Sequence, residues 1–329
     1  MPCLIPEILF GIGKKLIENG NLKTIVKFSF SGKESFNVLK NVFASISTIE
    51  IYYNFIGIGW DKEPYIFDVE EFPKSFMYCI GGNVKSLYIE REINPIFQTI
   101  IDKIISEKQL ISFSAGKGSY FSNTLKMDKF LPIFSSTLKE LKIPSRALNE
   151  EIIDSLTLQT LSLVNYFHFS LSKLFIKCEK INSPFHASIQ TLTFNDKTGI
   201  LYLVKEKFKF LFQIFSSLKN IHFNMKYDGE IKQDLSALLE LVKNAGFSSN
   251  IVYTVLSNGM YLDSENDSNL AVCKNICKDF VYDSSNPMFH CFLQTFKAAD
   301  SQETYLKVLI PKKQKLDSEN FVTYVPLIF

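Results

Sequence analysis

The sequence predicts an α/β protein in which a short three-helix module precedes an irregular solenoid of alternating strands and helices. Three observations predict it. Residues 1–44 carry helical apolar spacing broken twice at glycine-containing segments, and an h-x-x-h-x-h phrase (h, apolar) recurs from Ile46 onward. Between copies of the phrase lie stretches with the period of a buried helix face. The resulting division is a helical module over 1–44, a repeat array over 45–257 and a C-terminal capping region over 258–329.

In the module, Ile5, Ile8, Leu9, Ile12 and Leu16 follow helical spacing along one predicted face, and Pro6 suits the first helical turn. Glu7 near that start complements the positive end of the helix dipole. Asn19-Gly20-Asn21 ends the helix, because glycine and asparagine tolerate the left-handed cap conformation. Leu22, Ile25 and Val26 make a second short apolar face, and Ser31-Gly32 separates it from a third helix carrying Phe36, Leu39, Val42 and Phe43. Helices this short bury little surface alone, so packing on a following domain or a partner is expected.

Here the chain resembles the F-box family. The family's opening phrase of a leucine, a Pro-Glu pair and aliphatics looks like Leu4, Pro6, Glu7, Ile8 and Leu9, with Leu16 and Leu22 near the expected positions. Its serine-lysine-aromatic segment looks like Ser31, Lys33 and Phe36, with Gly32 inserted and phenylalanine where tryptophan is common. The resemblance implies binding to the Skp adaptor of a cullin–RING ubiquitin ligase through Leu4, Pro6, Glu7, Ile8, Leu9, Leu16, Ile25, Ser31, Lys33 and Phe36. Packing within the module is the competing role, above all for Ile8, Ile12 and Leu16.

The array begins with Ile46-x-x-Ile49-x-Ile51. Further copies start at Val84, Leu138, Leu158, Ile189 and Leu218, with weaker ones at Leu110 and at Ile251-x-x-Thr254-x-Leu256. Their spacing is irregular and brackets the roughly 20–29 residues of leucine-rich repeats, whose strand phrase this resembles. Helical stretches such as Ile96 to Ile105 and Leu235 to Val242 separate the copies, so parallel strands joined by right-handed crossovers are expected. The resemblance implies strands on a concave side and helices on the convex side. Asn195 and Asn224 stand where the repeat's asparagine would bond exposed backbone after the strand.

The x positions point away from the core and form a mixed polar surface suited to a protein or peptide target: Tyr88, Glu140, Lys142, Thr160, Thr191, Thr193, Asn220 and His222. The long interval from 51 to 84 reads as an irregular unit, with Gly57-Ile58-Gly59-Trp60 as a turn and Trp60 as a packing residue or an aromatic anchor. Beyond 257 the phrase fades. Asn258-Gly259 reads as a turn and Asp263 to Asn269 as an acidic loop, while Leu306 to Ile310 and Phe321 to Val325 read as strands of a tail that covers the open end of the array.

Composition narrows the function classes. Apolar residues make up 46% of the chain and charged residues 21%, which fits a folded core rather than a disordered chain. A formal net charge of +2 with both signs interleaved provides no field for nucleic acid or anionic lipid, so neither is an expected partner. Cys3, Cys79, Cys178, Cys273, Cys277 and Cys291 lack a framework spacing, which fits reduced thiols, and Cys273 and Cys277 read as core. The apolar stretch from Thr157 to Ile176 contains Asn165, His168 and Lys173 and makes a poor membrane span; without a signal-like start, the cytoplasm or nucleus is expected.

No residue set assembles for chemistry. Gly11-Ile12-Gly13-Lys14 and Gly116-Lys117-Gly118-Ser119 lack phosphate-loop spacing, and His168, His186, His222 and His290 stand apart from ligand or nucleophile motifs. Catalytic residues, metal and cofactor are therefore not expected. The expected function is a non-catalytic target receptor of an SCF-type ubiquitin ligase, docking on the Skp adaptor through the N-terminal helices and holding an unidentified target on the repeats. A repeat-only interaction scaffold, with the helices as a cap, is the alternative.

Overall fold

The computed structural model describes residues 5–60, 64–90, 93–116, 126–164, 183–196, 208–226, 231–243, 249–256, 270–297 and 303–311. The chain divides into two compact units, 1–141 and 142–329.

The first unit opens with helices α1 (Pro6–Glu18), α2 (Leu22–Ser29) and α3 (Lys33–Ala44). Pro6 stands in the first turn of α1 with Glu7 beside it, and Gly20 ends that helical segment at φ +66°. Asn21 then caps α2, its side chain accepting from the Thr24 amide at 3.1 Å.

The buried side of α1 is Leu9, Gly13 and Ile17, whereas Ile5, Ile8 and Ile12 are exposed and Leu16 is half-buried. This corrects the expected face: the buried stripe is turned by about 100° around the axis from the one spacing alone picks out. Gly13 is the reason. A Cβ there would lie 3.1 Å from Cγ2 of Val42 and 3.4 Å from Cδ2 of Leu39, so α3 approaches α1 where glycine leaves room.

Strands β1 (Thr48–Ile51), β2 (Phe55–Gly59) and β3 (Tyr65–Asp68) pair antiparallel in sequence. Gly57 to Gly59 is thus strand rather than turn. Gly57 is required by a close approach, since a Cβ there would stand 3.1 Å from Glu50 Cβ and 3.2 Å from Pro64 Cγ. Trp60 is half-buried; its Nε1 donates to Ser45 Oγ at 3.1 Å, and the Lys14 ammonium lies 4.7 Å from its ring centroid. It is a packing residue.

Helix α4 (Lys74–Met77) carries Phe76, which stacks on Phe43 of α3 at 4.6 Å between ring centroids and joins the helices to the sheet core. On its other side β1 pairs in parallel with β4 (Ser86–Ile89), which pairs in parallel with β5 (Ser112–Ala115). Between β4 and β5 runs α5 (Gln98–Glu107), burying Ile100, Ile101 and Ile104. Helix α6 (Met127–Phe130) follows, and Phe130 lies 5.6 Å from Phe113 of β5. Strand β6 (Glu140–Pro144) starts with the Lys139 and Glu140 amides donating to the Ile111 carbonyl.

In the second unit, α7 (Glu150–Ser155), α8 (Pro184–Ser188), α9 (Phe208–Ile214) and α10 (Ile231–Lys243) alternate with β7 (Thr160–Val164), β8 (Thr191–Asp196), β9 (Asn220–Lys226) and β10 (Asn250–Leu256). These four strands are parallel neighbours in sequence order. After a helical stretch over 270–276 come β11 (Val281–Asp283), β12 (Phe289–Lys297) and β13 (Glu303–Pro311). Strand β13 lies parallel beside β10, and β12 and β11 continue antiparallel outward.

Each described copy of the phrase from 46 to 223 buries its apolar positions, with Ile49, Leu87, Leu141, Leu161, Leu192 and Ile221 at no more than 1% exposure. The copy at 251 is shifted by register. Ile251 stands beside Ile221 and Tyr253 beside Phe223, so Ile251 is the second apolar of its phrase, while Thr254 stands beside Asn224 on the opposite face. The structure is α/β with mostly parallel strands. The segments 258–259, 263–269 and 321–325 lie outside the described residues.

Candidate functional site

Two surfaces hold the residues singled out from sequence. On the helical module, Pro6, Glu7, Ile8, Ser31 and Lys33 are exposed, Leu16 and Phe36 are half-buried, and Leu4 lies outside the described residues. Leu9 and Ile25 turn inward, at 6% and 0% exposure, and so serve the module's own core. The Ser31 hydroxyl is already used: it donates to the Phe28 carbonyl at 2.7 Å, and its Oγ lies 2.9 Å from Ser35 Oγ, from whose hydroxyl it can accept. Phe36 packs its ring 6.0 Å from that of Phe76.

What remains outward is an apolar row, Ile5, Ile8 and Ile12, at 59%, 48% and 37% exposure. Spacing of three and four residues puts them on one stripe of α1. Phe30, at the C-terminal end of α2, is 84% exposed. Sequence reasoning passed over Phe30, although Leu22, Val26 and Phe30 repeat at i, i+4 and i+8. Leu22 and Val26 line a shallow groove with Lys23, Lys27 and Glu71.

The second surface is the face of the strands opposite their buried side. Tyr88 and Glu140 belong to the first unit; Lys142, Thr160, Thr191, Thr193, Asn220 and His222 belong to the second. In the first unit Glu50, Tyr88 and Ser114 stand side by side in register. Tyr52 and Tyr88 have ring centroids 5.7 Å apart, and the Tyr52 hydroxyl donates to Glu50 Oε2 at 2.5 Å. The Tyr88 phenol is pushed up to about 12, first by burial and then by the charges of Glu90 and Glu50. Gly116 admits that phenol: a Cβ there would lie 2.6 Å from Tyr88 Oη.

In the second unit, register places Thr160, Thr191, Asn220 and Asn250 in one row across β7 to β10, and Ser162, Thr193, His222 and Val252 in the next. Val164, Asn195, Asn224 and Thr254 form the third. The amides bond sideways between strands, three of the four bonds along a row and the fourth, Asn195 to Ser162, diagonally from the third row to the second. Asn250 donates to Asn220 at 3.0 Å and Asn220 to Thr191 at 3.2 Å; Asn224 donates to Asn195 at 3.0 Å and Asn195 to Ser162 at 2.8 Å. Asn195 and Asn224 form a ladder between strands; the segments that follow them lie outside the described residues. Burial pushes the His222 imidazole and the Lys142 ammonium down from their ordinary ranges.

Burial also raises the thiols of Cys273 and Cys277 to about 12, and both are core. His186 is buried, with Nδ1 2.6 Å from Ser183 Oγ. Among the described residues no group of three or more His, Cys, Asp or Glu side chains gathers to hold a metal ion. No helix among them is long and apolar enough to cross a membrane.

Set against family models, curated proteins and solved structures, the chain has no significant match to any of them.

Proposed function

We propose that the chain is a non-catalytic substrate-recognition subunit of an SCF-type cullin–RING ubiquitin ligase. In this reading α1 to α3 form an F-box-like module that docks on the Skp adaptor, and the strand–helix repeats form a degenerate leucine-rich-repeat-like solenoid that holds a target protein. Its contribution to ubiquitin transfer is proximity: a bound target's lysines experience a raised local concentration of charged conjugating enzyme.

The observation that carries the reading is the exposed row Ile5, Ile8 and Ile12 on a three-helix module whose other described apolar side chains, apart from Phe30, are buried or half-buried. Three isoleucines in one helical stripe lose favourable free energy while they face water; at 37–59% exposure, covering each fully recovers roughly half of the ~1.5–3 kcal/mol of a complete burial. The remaining outward candidates, Pro6, Glu7 and Lys33, flank the module's helix starts, where they can form the polar rim of such an interface.

The test is co-purification of the full chain with the Skp adaptor, comparing wild type with Ile8→Asp and Ile12→Asp. Both variants are expected to keep the wild-type unfolding midpoint and to lose adaptor capture by at least about tenfold, since a charge at the centre of an apolar contact is desolvated without a partner. If the wild-type chain fails to capture the adaptor, the ligase role falls and the repeat-only scaffold takes its place.

A further inference from the structure

The rows on the open face of β7 to β10 differ in chemistry from the rest of the surface. Across these four strands they contain hydroxyls, amides, two valines and one imidazole, and no carboxylate, ammonium or guanidinium. The nearest charged residues in register are Lys307, beside Val252 on the neighbouring β13, and Lys226, beside Leu256 at the end of β9, one row beyond Asn224 and Thr254. A chain with 36 basic and 34 acidic residues thus keeps this twelve-residue field free of permanent charge.

The ladder also leaves defined hydrogen-bonding capacity. Asn195 and Asn220 each use one donor and the side-chain acceptor within the ladder, while among the described residues Asn224 and Asn250 use a donor alone. Among the described residues the Oδ1 atoms of Asn224 and Asn250 accept no bond, and each amide retains a second Nδ2–H. Between them His222, neutral near pH 7, offers one donor and one acceptor. Paired donors and acceptors without charge are complementary to other amides and hydroxyls. A charged group laid on this half-buried face would lose hydration with no counter-charge to replace it.

We propose that this face binds an extended, uncharged polypeptide segment rich in asparagine, glutamine, serine and threonine, whose side-chain amides and hydroxyls continue the ladder. The inference rests on the target-receptor reading and deepens it by naming the class of target. A ladder-continuing ligand would engage Asn224, Asn250 and His222 first, because these hold the unused capacity.

The experiment uses the full chain without any adaptor, so its result is separable from that of adaptor capture. Binding is measured by fluorescence polarisation of fluorescein-labelled short peptides in three pools: Asn/Gln/Ser/Thr, the same with Asp and Glu replacing the amides, and the same with Lys replacing them. The amide pool should bind at least about tenfold tighter than either charged pool, equivalent to about 1.4 kcal/mol. Asn250→Asp, at an exposed position, and Thr193→Val, which keeps side-chain shape, should each weaken it several-fold while leaving the thermal midpoint near wild type.

Absence of amide-pool binding overturns the proposal, as does equal binding of a charged pool or unchanged affinity in both variants. Capture of uncharged oligosaccharides from a parallel panel in place of the peptides overturns it in favour of a glycan ligand.

Discussion

Two glycines in one helix show how single positions decide packing. A Cβ on Gly11 would meet nothing within 4 Å, whereas one on Gly13 would press on Val42 and Leu39. Gly11→Ala should therefore stabilise the chain by about 0.5–1 kcal/mol through helix propensity. Gly13→Leu should cost about 1–3 kcal/mol by forcing α3 away. Denaturant unfolding of the two variants checks both signs.

Histidine 186 gives a second prediction at this scale. It is buried against Phe185 and Phe215, with ring centroids 5.4 Å away in each case, and burial lowers its pKa from the ordinary 6.5. A histidine kept neutral in the fold binds fewer protons there than in the unfolded chain. Its contribution is thus complete above the unfolded pKa and is lost as pH falls through the folded one. His222 acts in the same direction. The thermal midpoint should fall as pH drops below about 6.5, and His186→Gln should flatten that slope; an unchanged slope would remove His186 as its source.

At the scale of elements, the strands were the most legible part of the sequence. An apolar residue in the phrase is buried by the sheet whatever precedes it, because strand period and burial coincide. Helix α1 was less legible for a definite reason: its inward face is centred on Gly13, a residue with no side chain to register in an apolar pattern, so the isoleucines about a quarter-turn away dominated the count. The shifted copy at Ile251 has a similar origin, since Thr254 imitates the phrase three residues late. Gly57 and Gly59 resembled turn residues, yet each stands at a register position of an antiparallel pair.

The candidate site was legible in position but not in character. Alternation alone placed Thr191, Thr193 and Asn220 on the outward face, while the sideways bonding among Asn195, Asn220, Asn224 and Asn250 depends on strand neighbours that lie about thirty residues apart in sequence. Single-sequence spacing contains no such pairing. The exposure of Phe30 depends likewise on where α2 ends against α3.

For the molecule as a whole, the division into 1–141 and 142–329 gives each part its own parallel strands and its own apolar core. In the second part the order of assembly is unusual. Strand β13 is the last described strand in sequence but stands between β10 and β12. A chain ending at 297 would therefore leave the edge of β10 unpaired and leave β12 paired with β11 alone, detached from the sheet. Such a truncation is expected to aggregate and to lose the cooperative unfolding of the second part, while the first part keeps its own transition. Size-exclusion chromatography and calorimetry would test this.

The same strand order sets a timetable during synthesis. At about 5–20 residues per second, the ribosome leaves β10 waiting on the order of seconds for the strand that will lie beside it. For that interval a row of backbone donors and acceptors is open to any passing chain, until β13 pairs with β10 and closes it. Slow translation across 257–302 would lengthen this exposure without changing a single contact of the finished protein.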